Sequence, residues 1–100
     1  MKALAEIQVI PIGAGVSVRS EVRRAHEVIR ASGLKVQLHS YGTNVEGDLD
    51  TILATIREIH ETLHAEGTVR LSTSVKIGTR TDKATSLEGK LFEARSSGEG

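Results

Sequence analysis

The apolar residues of this 100-residue chain change spacing along its length, from every second residue to every third or fourth and back. A period of two is typical of a strand with one buried face, and a spacing of three or four is typical of an amphipathic helix. The order of these patterns predicts β-α-β-β-α-β, with a shorter helix over residues 82–94. A chain of this length forms one domain, so both halves share one core.

The helices are bounded by residues that start and stop helices. The predicted strands cover residues 3–12, 35–40, 43–47 and 68–77. Ser17 is the predicted N-cap of the first helix and Asp48 that of the second, since short polar side chains accept hydrogen bonds from free helix N–H groups. Gly33 and Gly67 stand where a left-handed residue ends a helix.

A hairpin joins the second and third strands. Tyr41 and Gly42 have the pattern of a two-residue turn, with Gly42 supplying a positive φ. Such a turn would place Gln37 opposite Glu46. Directly opposed residues share a face, so these polar side chains should project together.

Two β-α-β units with right-handed crossovers, joined by a hairpin, predict a ferredoxin-like α+β sandwich. Both helices would cover one face of a four-stranded antiparallel sheet, and we call the other side the open face. Its predicted side chains are Leu4, Glu6, Gln8 and Ile10, then Gln37, His39, Asn44 and Glu46, then Arg70, Ser72, Ser74 and Lys76. A polar sheet face tolerates solvent, whereas Leu4 and Ile10 at its margin suggest association with another sheet.

Composition excludes several classes of protein. Thirteen basic residues balance thirteen acidic ones, which argues against a nucleic-acid partner. The absence of cysteine excludes a disulfide framework and a thiolate zinc site. No apolar run approaches the roughly 20 residues of a membrane span, and no signal-peptide pattern begins the chain. We therefore expect a cytoplasmic protein without a membrane partner, with one domain over residues 1–95 and a disordered tail over 96–100.

The second helix ends with the sequence His-Glu-Thr-Leu-His, which has the spacing of a zinc protease motif. Two histidines four residues apart, His60 and His64, can share a metal ion, and Glu61 could act as a base. However, Arg70 stands where the third ligand belongs, and an arginine does not bind a cation. We therefore predict neither a metal site nor catalytic residues, and take the histidines as flank residues of the helix.

The loop from Gly13 to Val18 follows a strand and opens a helix, as a dinucleotide-binding turn does. Val18 occupies the third glycine position, and the chain is too short for a two-domain nucleotide fold. One interpretation is that this loop is a simple loop-to-helix turn. Alternatively, the helix N–H groups and Ser17 bind a hydroxyl, carboxylate or phosphate.

The segment Thr-Asn-Val-Glu-Gly-Asp at residues 43–48 places Asn44 and Glu46 on the open face, directly before a helix. The carboxylate of Glu46 can accept hydrogen bonds from an amino-heterocycle or offset a cation. A second interpretation is that Glu46 only pairs with Lys76 or Arg70 across the sheet.

Three blocks of the chain together resemble the small thiamine-binding protein family of ferredoxin-like domains. They are V-I-P-I-G-A-G-V-S at residues 9–17, L-H-S-Y-G-T-N-V-E-G-D at 38–48 and V-K-I-G-T-R at 75–80. The resemblance implies non-catalytic binding of thiamine or its hydroxymethylpyrimidine moiety as the ligand, with no cofactor. It also implies a homodimer or homotetramer built through sheet faces.

Carried over by motif position, Ser17, Thr43 and Glu46 are the strongest ligand-binding candidates, and the alternation of the strands adds Asn44 and His39. Tyr41 and Phe92 are the only aromatic residues apart from histidine, so a flat ligand finds little to stack on within one chain. Recognition should therefore be polar and occur between subunits. The alternative function is a structural or regulatory oligomerisation module without a ligand.

Overall fold

A computed structural model describes residues 1–13, 18–82 and 86–87. The elements are β1 (Lys2–Ile12), α1 (Arg19–Ala31), β2 (Lys35–His39), β3 (Gly42–Asp48), α2 (Leu49–Ala65) and β4 (Arg70–Gly78). The strands form one antiparallel sheet in the order β2-β3-β1-β4. The ferredoxin-like α+β prediction is confirmed. The predicted third helix lies outside the described residues except for 86 and 87, where Leu87 is helical.

The core lies between the helices and one face of the sheet, as the apolar periodicity predicts. The largest fully buried side chains are Ile7, Ile29, Val45, Ile52, Ile59 and Leu63. The spacing of three or four also places Val22 of α1 and Leu53 of α2 among the apolar residues predicted to be buried, but they are 46% and 48% exposed. A helix buries only the arc that contacts its neighbours, and these two side chains lie outside it. Within the described residues, no helix is long and apolar enough to cross a bilayer.

The helix ends follow the sequence with one exception. Asp48 is the N-cap of α2, and its side chain accepts a hydrogen bond from the N–H of Asp50 at 3.1 Å. Helix α1 begins at Arg19 with Val18 at its N-cap position, one residue later than predicted, and without a side-chain cap. Ser17 itself lies outside the described residues. Gly33 and Gly67 have φ values of 84° and 108°, the conformation expected just after a helix.

The hairpin register differs from the predicted one by two residues. His39 pairs with Gly42 and Gln37 with Asn44, so Ser40 and Tyr41 form the turn. Gly42 belongs to β3 and does not have a positive φ. A Cβ built on Gly42 would lie 2.8 Å from the carbonyl oxygen of Ile7, so a glycine is needed here for close packing against β1. A shift of two residues preserves the alternation of faces, so the predicted open face is unchanged.

Candidate ligand-binding face of the sheet

The open face carries the predicted polar side chains, because directly paired residues share a face. Glu6 of β1 pairs with Asn44 on one side and with Lys76 on the other. The central strands are β3 and β1. The polar open face predicted from the sequence is therefore present, with Glu6 and Asn44 on its two central strands.

The two apolar residues at the margin of the open face differ in exposure. Leu4 is only 5% exposed, although it lies on the face opposite the main core, next to Glu46 and Gly78. Ile10 is 42% exposed. The expectation that Leu4 is available for association with another sheet is therefore wrong, because Leu4 is buried within its own chain. Ile10 is the one of the two that stays accessible.

Glu46 has a carboxylate that is occupied within the chain. Its Oε1 accepts a hydrogen bond from the backbone N–H of Leu87 at 2.9 Å, and its Oε2 lies 2.9 Å from the Lys2 ammonium nitrogen. The Glu46 side chain is only 10% exposed. The interpretation that Glu46 pairs with Lys76 or Arg70 was therefore wrong about the partner, which is Lys2.

These neighbours keep Glu46 ionised. The N–H of Leu87 has the largest effect and the hydrogen-bonded ammonium of Lys2 the next, and together they lower the pKa of the Glu46 carboxyl. Lys35, directly opposite Glu46 across β2 and β3, adds a smaller favourable charge. Burial acts in the opposite direction but is outweighed. Glu46 is therefore a largely enclosed anion that contacts a donor at each oxygen.

Four other polar residues of the open face lie in two side-chain pairs. The side-chain amide of Asn44 donates to Oε1 of Gln37 at 3.2 Å across β3 and β2. Nε2 of His39 lies 3.1 Å from Oε2 of Glu6, at ion-pair distance but without hydrogen-bond geometry. Nδ1 of His39 accepts from the N–H of Tyr41 at 3.3 Å. The alternation therefore correctly brought His39, Asn44 and Glu46 to one face.

The candidates carried over from the motifs are not all on this face. Thr43 points to the helix side of the sheet and is 5% exposed, so it does not lie beside Glu46. Ser17 lies outside the described residues. Of the three strongest candidates, only Glu46 is placed by the structure on the open face.

The two histidines of α2 are engaged with neighbouring residues. Nε2 of His60 lies 2.7 Å from the hydroxyl oxygen of Thr73, and Nδ1 of His64 lies 2.8 Å from the carbonyl oxygen of Thr68. The side chain of Glu61 pairs with Arg57 on the same helix. Within residues 1–13, 18–82 and 86–87, no three metal-ligating side chains come together. These contacts join the end of α2 to β4 and the segment before it.

A groove of about 350 Å³ lies on the other side of the molecule, between α1 and α2. Its lining residues are Val28, Ala31, Ser32, Asp50, Thr51, Ala54, Thr55 and Glu58. Of the residues predicted to bind a ligand, those that the structure describes do not contribute to it. The groove and the open face are thus separate features.

Family comparison agrees with the geometry. The sequence profile of the family described as thiamine-binding protein matches residues 5–95. The chain belongs to the thiamine-binding protein family. The match includes the hairpin, β4 and β1 from Ala5 onward, so Lys2 and Leu4 precede it.

Relatives of this thiamine-binding family chain occur in distant organisms. A UPF0045 protein of Synechocystis is 40% identical over 91 residues, which cover 91% of this chain and 75% of that protein. A UPF0045 protein of Methanocaldococcus jannaschii is 42% identical over 90 residues, covering 90% of this chain and 89% of that protein. These alignments span nearly the whole domain.

Solved structures show the same fold. The crystal structure of a hypothetical protein of Methanocaldococcus jannaschii matches with a TM-score of 0.85 and 39% identity, covering 99% of this chain and 98% of that one. A candidate thiamine biosynthesis or salvage protein of Thermotoga maritima matches with a TM-score of 0.82. It is 24% identical, with 95% of this chain and 100% of that one covered, and it supports the fold alone.

Sequence reasoning missed the two partners of Glu46 in this member of the thiamine-binding family. Lys2 follows the same alternation as Leu4 and Glu6, but the predicted strand began at residue 3 and excluded it. Extending the strand by one residue would have placed Lys2 on the open face. Leu87 could not be found in this way, because its backbone N–H reaches Glu46 across 41 residues of sequence.

Proposed function

We propose that this protein binds thiamine, a thiamine precursor or a similar aminopyrimidine on the open face, without catalysing a reaction. Family membership supports a small-molecule binding role. The choice of thiamine or an aminopyrimidine as the ligand comes from the family resemblance, and the chemistry of Glu46 supports it. The proposal includes assembly of a dimer or tetramer through open faces, and a cytoplasmic location.

The observation that carries the proposal is that Glu46 already binds the kinds of donor that such a ligand offers. One oxygen accepts from an N–H group and the other contacts a cation, at 2.9 Å each. An aminopyrimidine presents N–H donors, and the thiazolium ring of thiamine carries a positive charge. A carboxylate that stays ionised and is largely enclosed suits both, because hydrogen bonds to charged groups are stronger than neutral ones.

Thermal unfolding with and without ligand tests the proposal. Thiamine and hydroxymethylpyrimidine are each added at millimolar concentration, and the melting temperature is followed by fluorimetry. At 100 times the dissociation constant, binding adds about 2.7 kcal/mol to the free energy of unfolding. For a domain of this size, that corresponds to a rise of roughly 10 °C or more.

The control separates Glu46 from other carboxylates. Glu46→Gln keeps the size of the side chain but removes its charge, and should abolish most of the ligand-induced rise. Glu66→Gln removes an exposed carboxylate that pairs with Arg24 on the helix layer, and should keep the rise. No rise with either ligand in the wild-type protein would refute the proposed function.

A second candidate function is oligomerisation without a small ligand. It is favoured by the exposure of Ile10 and Ile12, which are 42% and 38% exposed on the open face. Exposed apolar side chains on a sheet face are typical of a surface that packs against another protein. Light scattering would then show a stable oligomer, Ile10→Asp would dissociate it, and no ligand would change the melting temperature.

A further inference from the structure

The carboxylate of Glu46 has no free oxygen in the chain as it stands. Oε1 accepts the N–H of Leu87, and Oε2 contacts the ammonium of Lys2. With a side chain only 10% exposed, Glu46 has little room for a further donor. Each oxygen has a second lone pair, but the enclosure leaves a ligand access chiefly where one of the two internal partners now lies.

We propose that Lys2 is an internal competitor for the ligand, so that a cationic or N–H donor binds Glu46 by displacing the Lys2 ammonium ion. This inference rests on the proposed function and assigns to Lys2 a role in setting affinity and selectivity. Lys2 acts only through its contact with Glu46 and takes part in no chemical step.

Lys2 is the partner that can leave at the lower cost. Its side chain is 49% exposed, so the displaced ammonium moves directly into water. The lysine side chain is a flexible four-carbon stem, so its ammonium can rotate away from Glu46 without any movement of the backbone. The N–H of Leu87 is fixed to the backbone, and leaving Glu46 would require the chain itself to move.

The competition also selects the charge of the ligand. Displacing Lys2 removes a positive charge from Glu46, while Lys35 remains opposite it across the two strands. A cationic ligand restores the lost charge, whereas a neutral ligand of the same shape does not. Thiamine should therefore bind more tightly than a neutral aminopyrimidine fragment, and the preference should depend on Glu46.

The test compares Lys2→Met with Lys2→Arg and Lys76→Met. Isothermal titration with thiamine measures affinity, and NMR titration of the Glu46 carboxyl carbon measures its pKa without any ligand. Without the competing ammonium, Lys2→Met should bind thiamine about two- to fivefold more tightly, the effect expected for loss of one ion-pair competitor with a solvent-exposed ammonium. Lys2→Arg retains a competing cation and should stay close to the wild type.

Lys76→Met is the matched control, because Lys76 lies on the same face but opposite Glu6 instead of Glu46. It should leave the pKa of Glu46 unchanged, whereas Lys2→Met should raise that pKa. An unchanged pKa of Glu46 in Lys2→Met would overturn the inference whatever the ligand result. Equal or weaker thiamine binding by Lys2→Met would overturn it too.

The two proposals fail in different ways. If neither the wild type nor Lys2→Met binds thiamine while the pKa of Glu46 still responds to Lys2, the ion pair is purely structural. That result contradicts the proposed function and removes the competitive role with it. If the wild type binds thiamine but Lys2→Met gains nothing, the proposed function stands and only the competition is refuted.

Discussion

The imidazole of His39 lies 3.1 Å from the carboxylate of Glu6, although their strands are not neighbours in the sheet. Strand β3 separates them, and His39 pairs there with Gly42. A Cβ built on Gly42 would lie 3.5 Å from Cε1 of His39, so the histidine ring lies over this glycine. Gly42 thus allows a side chain of an edge strand to reach the second central strand.

The same glycine should be sensitive to the smallest substitution. Gly42→Ala would place its Cβ 2.8 Å from the carbonyl oxygen of Ile7, a contact with backbone that only a shift of the strands relieves. Overpacking of this kind costs about 1–3 kcal/mol. Urea denaturation should show that loss in the free energy of unfolding.

Gly78→Ala provides the control for that measurement. No atom lies within 4 Å of a Cβ built there, and the φ of Gly78 is not positive. Replacing glycine by alanine at such a site lowers the entropy of the unfolded chain and stabilises by about 0.4–1 kcal/mol. Equal losses at both positions would contradict the close approach of β3 to Ile7.

Glu46 should make stability depend on pH in the acid range. Leu87 and Lys2 lower the pKa of its carboxyl in the folded chain below the ordinary value of 4.5. The carboxylate therefore contributes stability that is fully present above pH 4.5 and is lost as the pH falls through the folded-state pKa. The uncharged variant Glu46→Gln lacks this contribution.

Urea denaturation of wild type and Glu46→Gln between pH 7 and pH 3 checks the sign. The wild type should be the more stable protein at neutral pH, and the difference should shrink as the solution is acidified. In a Lys2→Met background the change with pH should be smaller, because one of the two main causes of the lowered pKa is gone. A difference that grows on acidification would contradict the assignment.

The fold followed from the sequence because its signals are local or periodic. The alternation of the strands and the helix spacing fixed the element order, and Asp48 marked the start of α2 with its own side chain. The hairpin register was wrong by two residues because the turn depends on a tertiary contact. Gly42 is required by the backbone of Ile7, 35 residues earlier, and not by its own φ.

The candidate site could be predicted from the sequence only in part, because some of its contacts are tertiary and leave no local pattern. The period of two placed His39, Asn44 and Glu46 on one face although the predicted hairpin register was wrong by two residues. A shift by an even number of residues leaves each side chain on the same face. What occupies Glu46 could not be deduced from spacing. Its hydrogen bond to the N–H of Leu87 joins residues far apart in the chain and involves no side-chain pattern.

The His60 contact with Thr73 should couple α2 to β4. Nε2 of His60 and the hydroxyl oxygen of Thr73 are 2.7 Å apart, and both residues are half-buried. A hydrogen bond of this kind contributes about 1 kcal/mol. A double-mutant cycle with His60→Ala and Thr73→Val should recover a coupling of that size from urea denaturation.

His64 supplies the control for the cycle, since its ring nitrogen contacts the carbonyl oxygen of Thr68. A cycle with His64→Ala and Thr73→Val should show almost no coupling.

If zinc raised the melting temperature of the wild type and not of His60→Ala, the histidines would instead hold a metal ion, against the sequence prediction.

Leu4 and Ile10 lie on the same face and strand but should differ strongly in what they contribute. Leu4 is 5% exposed and Ile10 is 42% exposed, so truncation leaves a cavity only at Leu4. Leu4→Ala should cost about 2–5 kcal/mol in the free energy of unfolding, as buried leucines do. At low micromolar concentration, Ile10→Ala should cost much less, because truncating an exposed side chain leaves no cavity. If the open face associates between chains, the loss for Ile10→Ala should grow with protein concentration while that for Leu4→Ala stays constant, because mass action stabilises only the associated chain. Equal losses at low concentration would show that Ile10 is buried within one chain.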